Sequence, residues 1–228
     1  MKIIVANWKM NGTVAFADRF IEEINLVDSK NLAVVCPPAA LIGRFRDFRY
    51  KIGAQNCFSE NEGAFTGENS PKLLKEIGCE YVIVGHSERR AIFGETDESV
   101  FKKWKAAIEN RLTPIVCVGE KANERENWRE ILSGQLKLFL NETLSETIFA
   151  YEPVWSIGTG VIPTKESIET VFEFLKELLG NQTRLLYGGS VNSQNAEQIL
   201  NCKNVSGLLI GGASLKIDEF KKIMEMKR

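Results

Sequence analysis

Short, nearly continuous apolar runs recur along this chain, separated by longer stretches in which apolar residues return every three or four positions. The runs are Lys2–Asn7, Leu32–Cys36, Lys51–Gln55, Tyr81–Gly85, Pro114–Gly119, Ile148–Tyr151, Arg184–Tyr187 and Gly207–Ile210. They are rich in β-branched residues and do not alternate with polar ones, the pattern of strands buried on both faces. Between them, Ile168, Val171, Phe172, Leu175 and Leu179 form one helical stripe, and Val100, Trp104, Ala107 and Ile108 form another. Thr164 and Gly180 bracket the first stripe as N-cap and terminator. Ser70-Pro71 predicts a further helix start, with Gly78 at its end. Gly134 is expected to interrupt a helix lying between Lys121 and Leu140.

Eight strands alternating with eight helices imply a parallel α/β sheet with right-handed crossovers. A closed (β/α)8 barrel and an open doubly wound sheet both satisfy that pattern. No G-x-G-x-x-G turn follows the first strand, which counts against a dinucleotide-binding sheet. No composition shift marks a linker, so residues 1–228 read as a single domain. A domain of this length buries roughly 70–75% of its unfolded surface, enough for a self-sufficient core. The stretch from Asn56 to Asn69 has no periodicity of its own. Phe58 and Phe65 stand there beside Gly63 and Gly67, so it reads as a docking or lid loop.

Composition narrows the class of function. Hydrophobic residues make up 44% of the chain, charged residues 26%, and the formal net charge is -1. These values fit a globular protein and argue against nucleic acid or a membrane surface as partner. Cys36, Cys57, Cys79, Cys117 and Cys202 are odd in number and widely spaced, with no C-x-x-C pair. They read as reduced thiols of a cytoplasmic protein rather than a disulfide framework or metal site. The apolar run at the N-terminus is too short for a signal peptide, and no run approaches the ~20 residues of a membrane span.

Polar residues that break the apolar pattern fall just after strands. Asn7 and Lys9 follow the first, Gln55 and Asn56 the third, His86 the fourth and Glu152 the sixth. Gly188-Gly189-Ser190 follows the seventh and Gly211-Gly212 the eighth. In a barrel all these strand ends open on one mouth, the face that carries active sites. Each residue also has an ordinary reading: a salt-bridged carboxylate, a satisfied imidazole, a solvated lysine, plain turns. The functional reading is more specific. Pro153 and Trp155 would set apolar walls beside Glu152, raising its pKa and making it a better base toward carbon. His86, the only histidine, stands where a strand meets a helical turn, and a helix N-terminus favours the neutral imidazole. The glycine pairs could expose amides to a phosphate, with Ser190 adding a hydroxyl.

Six blocks then match one family in order along essentially the whole chain. They are Asn7-Trp8-Lys9-Met10-Asn11-Gly12, Val84-Gly85-His86-Ser87-Glu88-Arg89-Arg90, Ala150-Tyr151-Glu152-Pro153-Val154-Trp155, Ile157-Gly158-Thr159-Gly160, Tyr187-Gly188-Gly189-Ser190-Val191 and Gly211-Gly212-Ala213-Ser214-Leu215. The chain resembles the triosephosphate isomerases. That resemblance implies a (β/α)8 barrel of glycolysis and gluconeogenesis that interconverts dihydroxyacetone phosphate and glyceraldehyde 3-phosphate without cofactor or metal. It implies that Glu152 is the base, that neutral His86 polarises the carbonyl, and that Lys9 supplies positive charge while Asn7 orients the substrate oxygens. Gly158, Ser190, Gly211 and Gly212 would hold the phosphate under a lid running from Pro153 to Pro163. The loop Cys57–Asn69 would join two copies, with Thr66 near its tip. The chain departs from the family at two places. It is shorter, around Glu120–Gln135, and the second lid hinge reads Val161-Ile162-Pro163. Pro163 has no amide hydrogen, so Tyr187 cannot make the family's latch bond there, and the lid is expected to close by other contacts or to open faster. Two rival activities remain open at this level: an aldolase with Lys9 as Schiff base, and a phosphate-binding barrel without turnover.

Overall fold

Strands β1 (Ile3–Asn7), β2 (Leu32–Cys36), β3 (Lys51–Ala54), β4 (Tyr81–Val84), β5 (Thr113–Val118), β6 (Ile148–Tyr151), β7 (Arg184–Tyr187) and β8 (Gly207–Ile210) pair in parallel in chain order. β8 then pairs with β1, Ile3 against Gly207 and Ala6 against Ile210, and the sheet closes. The computed structural model, which describes residues 1–226, is therefore a closed (β/α)8 barrel. β2, β6, β7 and β8 keep the bounds expected from the sequence, and the other four shift by a residue at one or both ends.

The helices are α1 (Val14–Asn25), α2 (Pro71–Glu76), α3 (Ser87–Phe93), α4 (Asp97–Glu109), α5 (Trp128–Leu136), α6 (Lys165–Leu179), α7 (Ala196–Leu200) and α8 (Ile217–Met224). The expected strand–helix alternation needs correcting. The β2–β3 crossover is a 3-10 helix, Ala39–Phe45, and β4 is followed by both α3 and α4. Pro37 and Pro38 hold the entry extended and Gly43 weakens the interior, so one tight segment forms with Leu41, Ile42 and Phe45 buried. Gly134 does not interrupt its helix either. It lies inside α5, and the breaks are 3-10 segments at Ala122–Asn127 and Lys137–Phe139. A glycine costs a helix only about 1 kcal/mol relative to alanine. Burial of Leu132 and Leu136 outweighs that, and Gln135 is clamped to both the amide (2.8 Å) and carbonyl (3.0 Å) of Gly119.

The expected caps are in place. Thr164 Oγ1 accepts from the Ser167 amide at 3.2 Å and Gly180 follows α6; Ser70 Oγ accepts from the Leu73 amide at 3.3 Å. Two apolar layers result. Ile3, Val5, Ile83, Ile115, Ile148, Ala150, Leu186 and Leu209 fill the barrel, while the outer strand faces pack on the helices. Side chains alternate along a strand. The next inward positions after Val5, Ala150, Leu186 and Leu209 are Asn7, Glu152, Gly188 and Gly211, so the barrel's own register delivers these residues to its mouth.

Candidate active site

A cavity of about 390 Å³ opens at that mouth, bordered by Asn7, Lys9, His86, Glu152, Gly158, Ser190, Gly211 and Gly212. Asn7, Lys9, His86, Glu152 and the glycine–serine turns singled out from the sequence are thus gathered on one space, while Gln55 and Asn56 line an adjoining cavity. Lys9 reaches it with its backbone in the left-handed region, φ 52, which disfavours a side chain. Asn7 Oδ1 accepts from the Lys9 amide at 3.0 Å, and Gln55 Nε2 donates to the Lys9 carbonyl at 2.8 Å. Those bonds hold the turn. The neighbouring Trp8 is wholly buried against Phe16, Phe20 and Phe45 and anchors it. Lys9 Nζ pairs with Glu88 Oε1 at 2.6 Å.

His86 stands at the N-cap of α3, where Gly85 (φ 68) turns the chain out of β4. A β-carbon on Gly85 would come within 2.8 Å of Val100, so only glycine fits both the turn and the packing. His86 Nδ1 accepts from the Glu88 amide at 3.2 Å. A nitrogen that accepts carries no proton, so the ring's hydrogen lies on Nε2. Nε2 is 3.0 Å from Glu152 Oε1, and the Ser87 amide donates to Glu152 Oε2 at 2.9 Å. Both side chains are buried, His86 at 7% and Glu152 at 2% exposure.

The expected apolar wall beside Glu152 is corrected by this geometry. Trp155 is turned away: its Nε1 donates to Glu120 Oε1 at 2.7 Å and the Arg125 guanidinium lies 4.0 Å over its ring. Burial does push the Glu152 pKa up. The contact with His86, the Ser87 amide and the charge of Lys9 outweigh it and hold the carboxyl below its ordinary value. Burial likewise lowers the His86 pKa, and the Glu152 carboxylate, with help from Glu88, lifts it above the usual histidine value. Each shift depends on the two groups touching.

Ser190 borders the cavity while its side chain bonds within the protein. Its Oγ donates to the Ser156 carbonyl at 2.5 Å and accepts from the Gly160 amide at 3.3 Å, so the hydroxyl is tied to the Pro153–Pro163 segment. Glu88 and Ser156 shape the site without having been singled out for it, while Gln55, placed at the mouth by the sequence, holds the Lys9 carbonyl. Among the described residues no group of His, Cys, Asp and Glu is placed to hold a metal ion. Nor, among those residues, is any helix long and apolar enough to cross a membrane.

Comparison with known proteins agrees with the geometry. The sequence profile of the triosephosphate isomerase family matches residues 2–227. The chain is 44% identical over 243 aligned positions to the triosephosphate isomerase of Aquifex aeolicus, covering 98% of each chain. It is 40% identical to the triosephosphate isomerases of Francisella tularensis subsp. mediasiatica and Clostridium tetani, covering 96% of each relative. Alignments longer than its own 228 residues show that these relatives carry residues with no counterpart in this chain. The match runs from end to end and carries the barrel with it: the chain belongs to the triosephosphate isomerase family.

Proposed function

We propose that this chain interconverts dihydroxyacetone phosphate and D-glyceraldehyde 3-phosphate through an enediolate, a step of glycolysis and gluconeogenesis, with Glu152 as base and neutral His86 as electrophile. The observation that carries the reading is the facing pair, Glu152 Oε1 and His86 Nε2, buried 3.0 Å apart in the mouth that Lys9 also borders. Substrate oxygens would enter between the pair and take over its hydrogen bonds. Glu152 would then lose the contacts that depress its pKa and become more basic as it meets the carbon-bound proton. His86 would keep the Glu88 amide on Nδ1, which only a neutral ring accepts, and offer its Nε2 hydrogen to the carbonyl oxygen. Lys9, positioned by Asn7 and Gln55, would balance the negative charge of phosphate and enediolate. Amides at Gly158, Ser190, Gly211 and Gly212 are the proposed phosphate donors, the last pair opening the 3-10 helix Gly212–Leu215.

The ion pair with Glu88 makes Lys9 a fixed charge and favours this reading over a Schiff-base aldolase. The cytoplasm is the proposed setting, in keeping with five buried free thiols. The working unit is a proposed homodimer built through Cys57–Asn69, with Thr66 near the tip. In that loop the Phe58 and Phe65 rings pack at 4.4 Å and the Phe58 amide closes onto the Asn69 carbonyl at 2.8 Å.

A coupled isomerase assay tests the activity. Glu152→Gln should lower kcat by about 10²–10⁴-fold, the usual worth of a positioned base, while glycerol 3-phosphate binds nearly as in the parent. Equal losses in turnover and binding would remove Glu152 from the role of base.

A further inference from the structure

The Pro153–Pro163 segment is held at its middle by a side chain that the sequence motifs do not mark. Ser156 is wholly buried. Its Oγ donates to the Val161 carbonyl at 2.5 Å, which ties the first part of the segment to the second. The same oxygen faces the Tyr187 hydroxyl and the Ser190 amide, each at 3.4 Å. A serine hydroxyl has one hydrogen and two lone pairs. With the hydrogen given to Val161, Tyr187 and Ser190 must be the donors, and all three positions are filled. The Ser156 carbonyl also accepts from Ser190 Oγ at 2.5 Å, and Ser190 Oγ accepts from the Gly160 amide at 3.3 Å. One residue therefore joins both parts of the segment to the loop after β7.

Space for this hub is reserved. A β-carbon on Gly189 would stand 2.3 Å from the Tyr187 hydroxyl and 2.9 Å from Ser156 Oγ. Tyr187, wholly buried at the end of β7, has its pKa pushed up to about 12, so it stays a donor throughout the working range. Pro163 offers it no amide hydrogen. The hydroxyl that meets Tyr187 is instead that of Ser156.

We infer that Ser156 is a positioning residue: its hydroxyl, bonded to the Val161 carbonyl and facing the Ser190 amide, latches the Pro153–Pro163 lid over the phosphate end of the site, where a Pro163 latch to Tyr187 has no hydrogen to use. The inference rests on the isomerase reading, since the lid matters only if an enediolate must be shielded. An unshielded enediolate breaks its C–O bond to phosphate. The bonding pair leaves with inorganic phosphate, and the enol left behind tautomerises to methylglyoxal. A loosened latch should therefore raise phosphate loss per turnover as well as slow turnover.

Ser156→Ala removes one hydroxyl and no packing volume of consequence, so the fold is retained. Tyr187→Phe is the comparison. Amide exchange at Gly160, followed by NMR in the full chain without substrate, reads the latch directly. Ser156→Ala should exchange about tenfold faster than the parent, the net worth of one to two ordinary hydrogen bonds. Tyr187→Phe, which loses only a 3.4 Å contact, should change exchange about twofold or less. With glyceraldehyde 3-phosphate, Ser156→Ala should release several times more inorganic phosphate per isomerisation and lose more in kcat than in KM. Unchanged exchange and phosphate release in Ser156→Ala would overturn the latch, as would effects of Tyr187→Phe equal to those of Ser156→Ala. A parent enzyme without isomerase activity would overturn the reading of function instead, while the exchange comparison would still judge the latch.

Discussion

Glu95 and Glu152 are both buried carboxylates set against cationic or hydrogen-bonding partners, and their surroundings give them different work. Glu95 Oε1 is shared by Arg89 and Lys103, with Lys103 Nζ also donating to Asn56 Oδ1 at 2.9 Å, and Glu95 does not border the cavity shared by Glu152, His86 and Lys9. Burial pushes the Glu95 pKa up, but Lys103 and Arg89 more than offset it and leave the carboxyl below its ordinary 4.5. Glu95→Gln keeps the shape and strands a buried lysine, an expected loss of about 3–5 kcal/mol at neutral pH in urea denaturation. Because the folded pKa is depressed, the carboxylate stabilises fully above pH 4.5 and that gain disappears as pH falls through the folded value. The gap between parent and variant should narrow in acid; a constant gap would mean that lost packing, not charge, sets it. Glu152 shows what was legible at this scale. It and Asn7 are the next inward positions on their strands, and strand parity can be read from sequence. Glu88 and Ser156 were not legible as site residues, because their partners Lys9 and Ser190 lie 79 and 34 positions away. Only the closed barrel brings those pairs together.

At the scale of elements, glycine carried two opposite meanings. Gly134 looked like a breaker, yet it is exposed inside α5, and a β-carbon there would meet nothing within 4 Å. Gly134→Ala should stabilise the protein by about 0.5–1 kcal/mol, by removing backbone freedom from the unfolded chain without adding a clash. A lowered melting midpoint would show that α5 needs the flexibility. Gly85→Ala should do the reverse. The left-handed φ of 68 and the 2.8 Å approach to Val100 both resist a β-carbon. A cost of about 1–3 kcal/mol is expected, together with a fall in kcat, because the turn aims His86. Full activity in Gly85→Ala would mean that His86 is held by α3 alone. Strands were legible because burial on both faces writes a continuous apolar run. The Ala39–Phe45 segment was not, because its apolar spacing suits a 3-10 and an α-helix alike and the choice falls to the flanking prolines.

For the whole molecule, strand count and polarity called for a parallel α/β sheet, and the family resemblance favoured the closed barrel over the open sheet, but what covers its outer rim was not legible. Met10 is 95% exposed and Phe93 65%, a large apolar exposure beside the cavity mouth. Met10 and Phe93 border a second cavity of about 260 Å³ that shares Asn7, Lys9 and His86 with the first. On this side the Lys9–Glu88 pair stands partly open to water, Lys9 at 27% and Glu88 at 43% exposure. The proposed dimer would cover it with the partner's loop, whose packed Phe58 and Phe65 rings stiffen the segment that carries Thr66. Drying that side would strengthen the field of Lys9 on substrate, since the same charge acts more strongly at lower effective dielectric. Phe93→Asp sets a charge in the covered rim, at a residue that does not border the cavity holding Glu152. Sedimentation at micromolar concentration should show the parent as a dimer and Phe93→Asp as a monomer, with kcat reduced at least tenfold, about 1.4 kcal/mol of transition-state stabilisation. A monomeric variant with parental kcat would mean that one barrel completes its own site and that the exposed rim serves something other than catalysis.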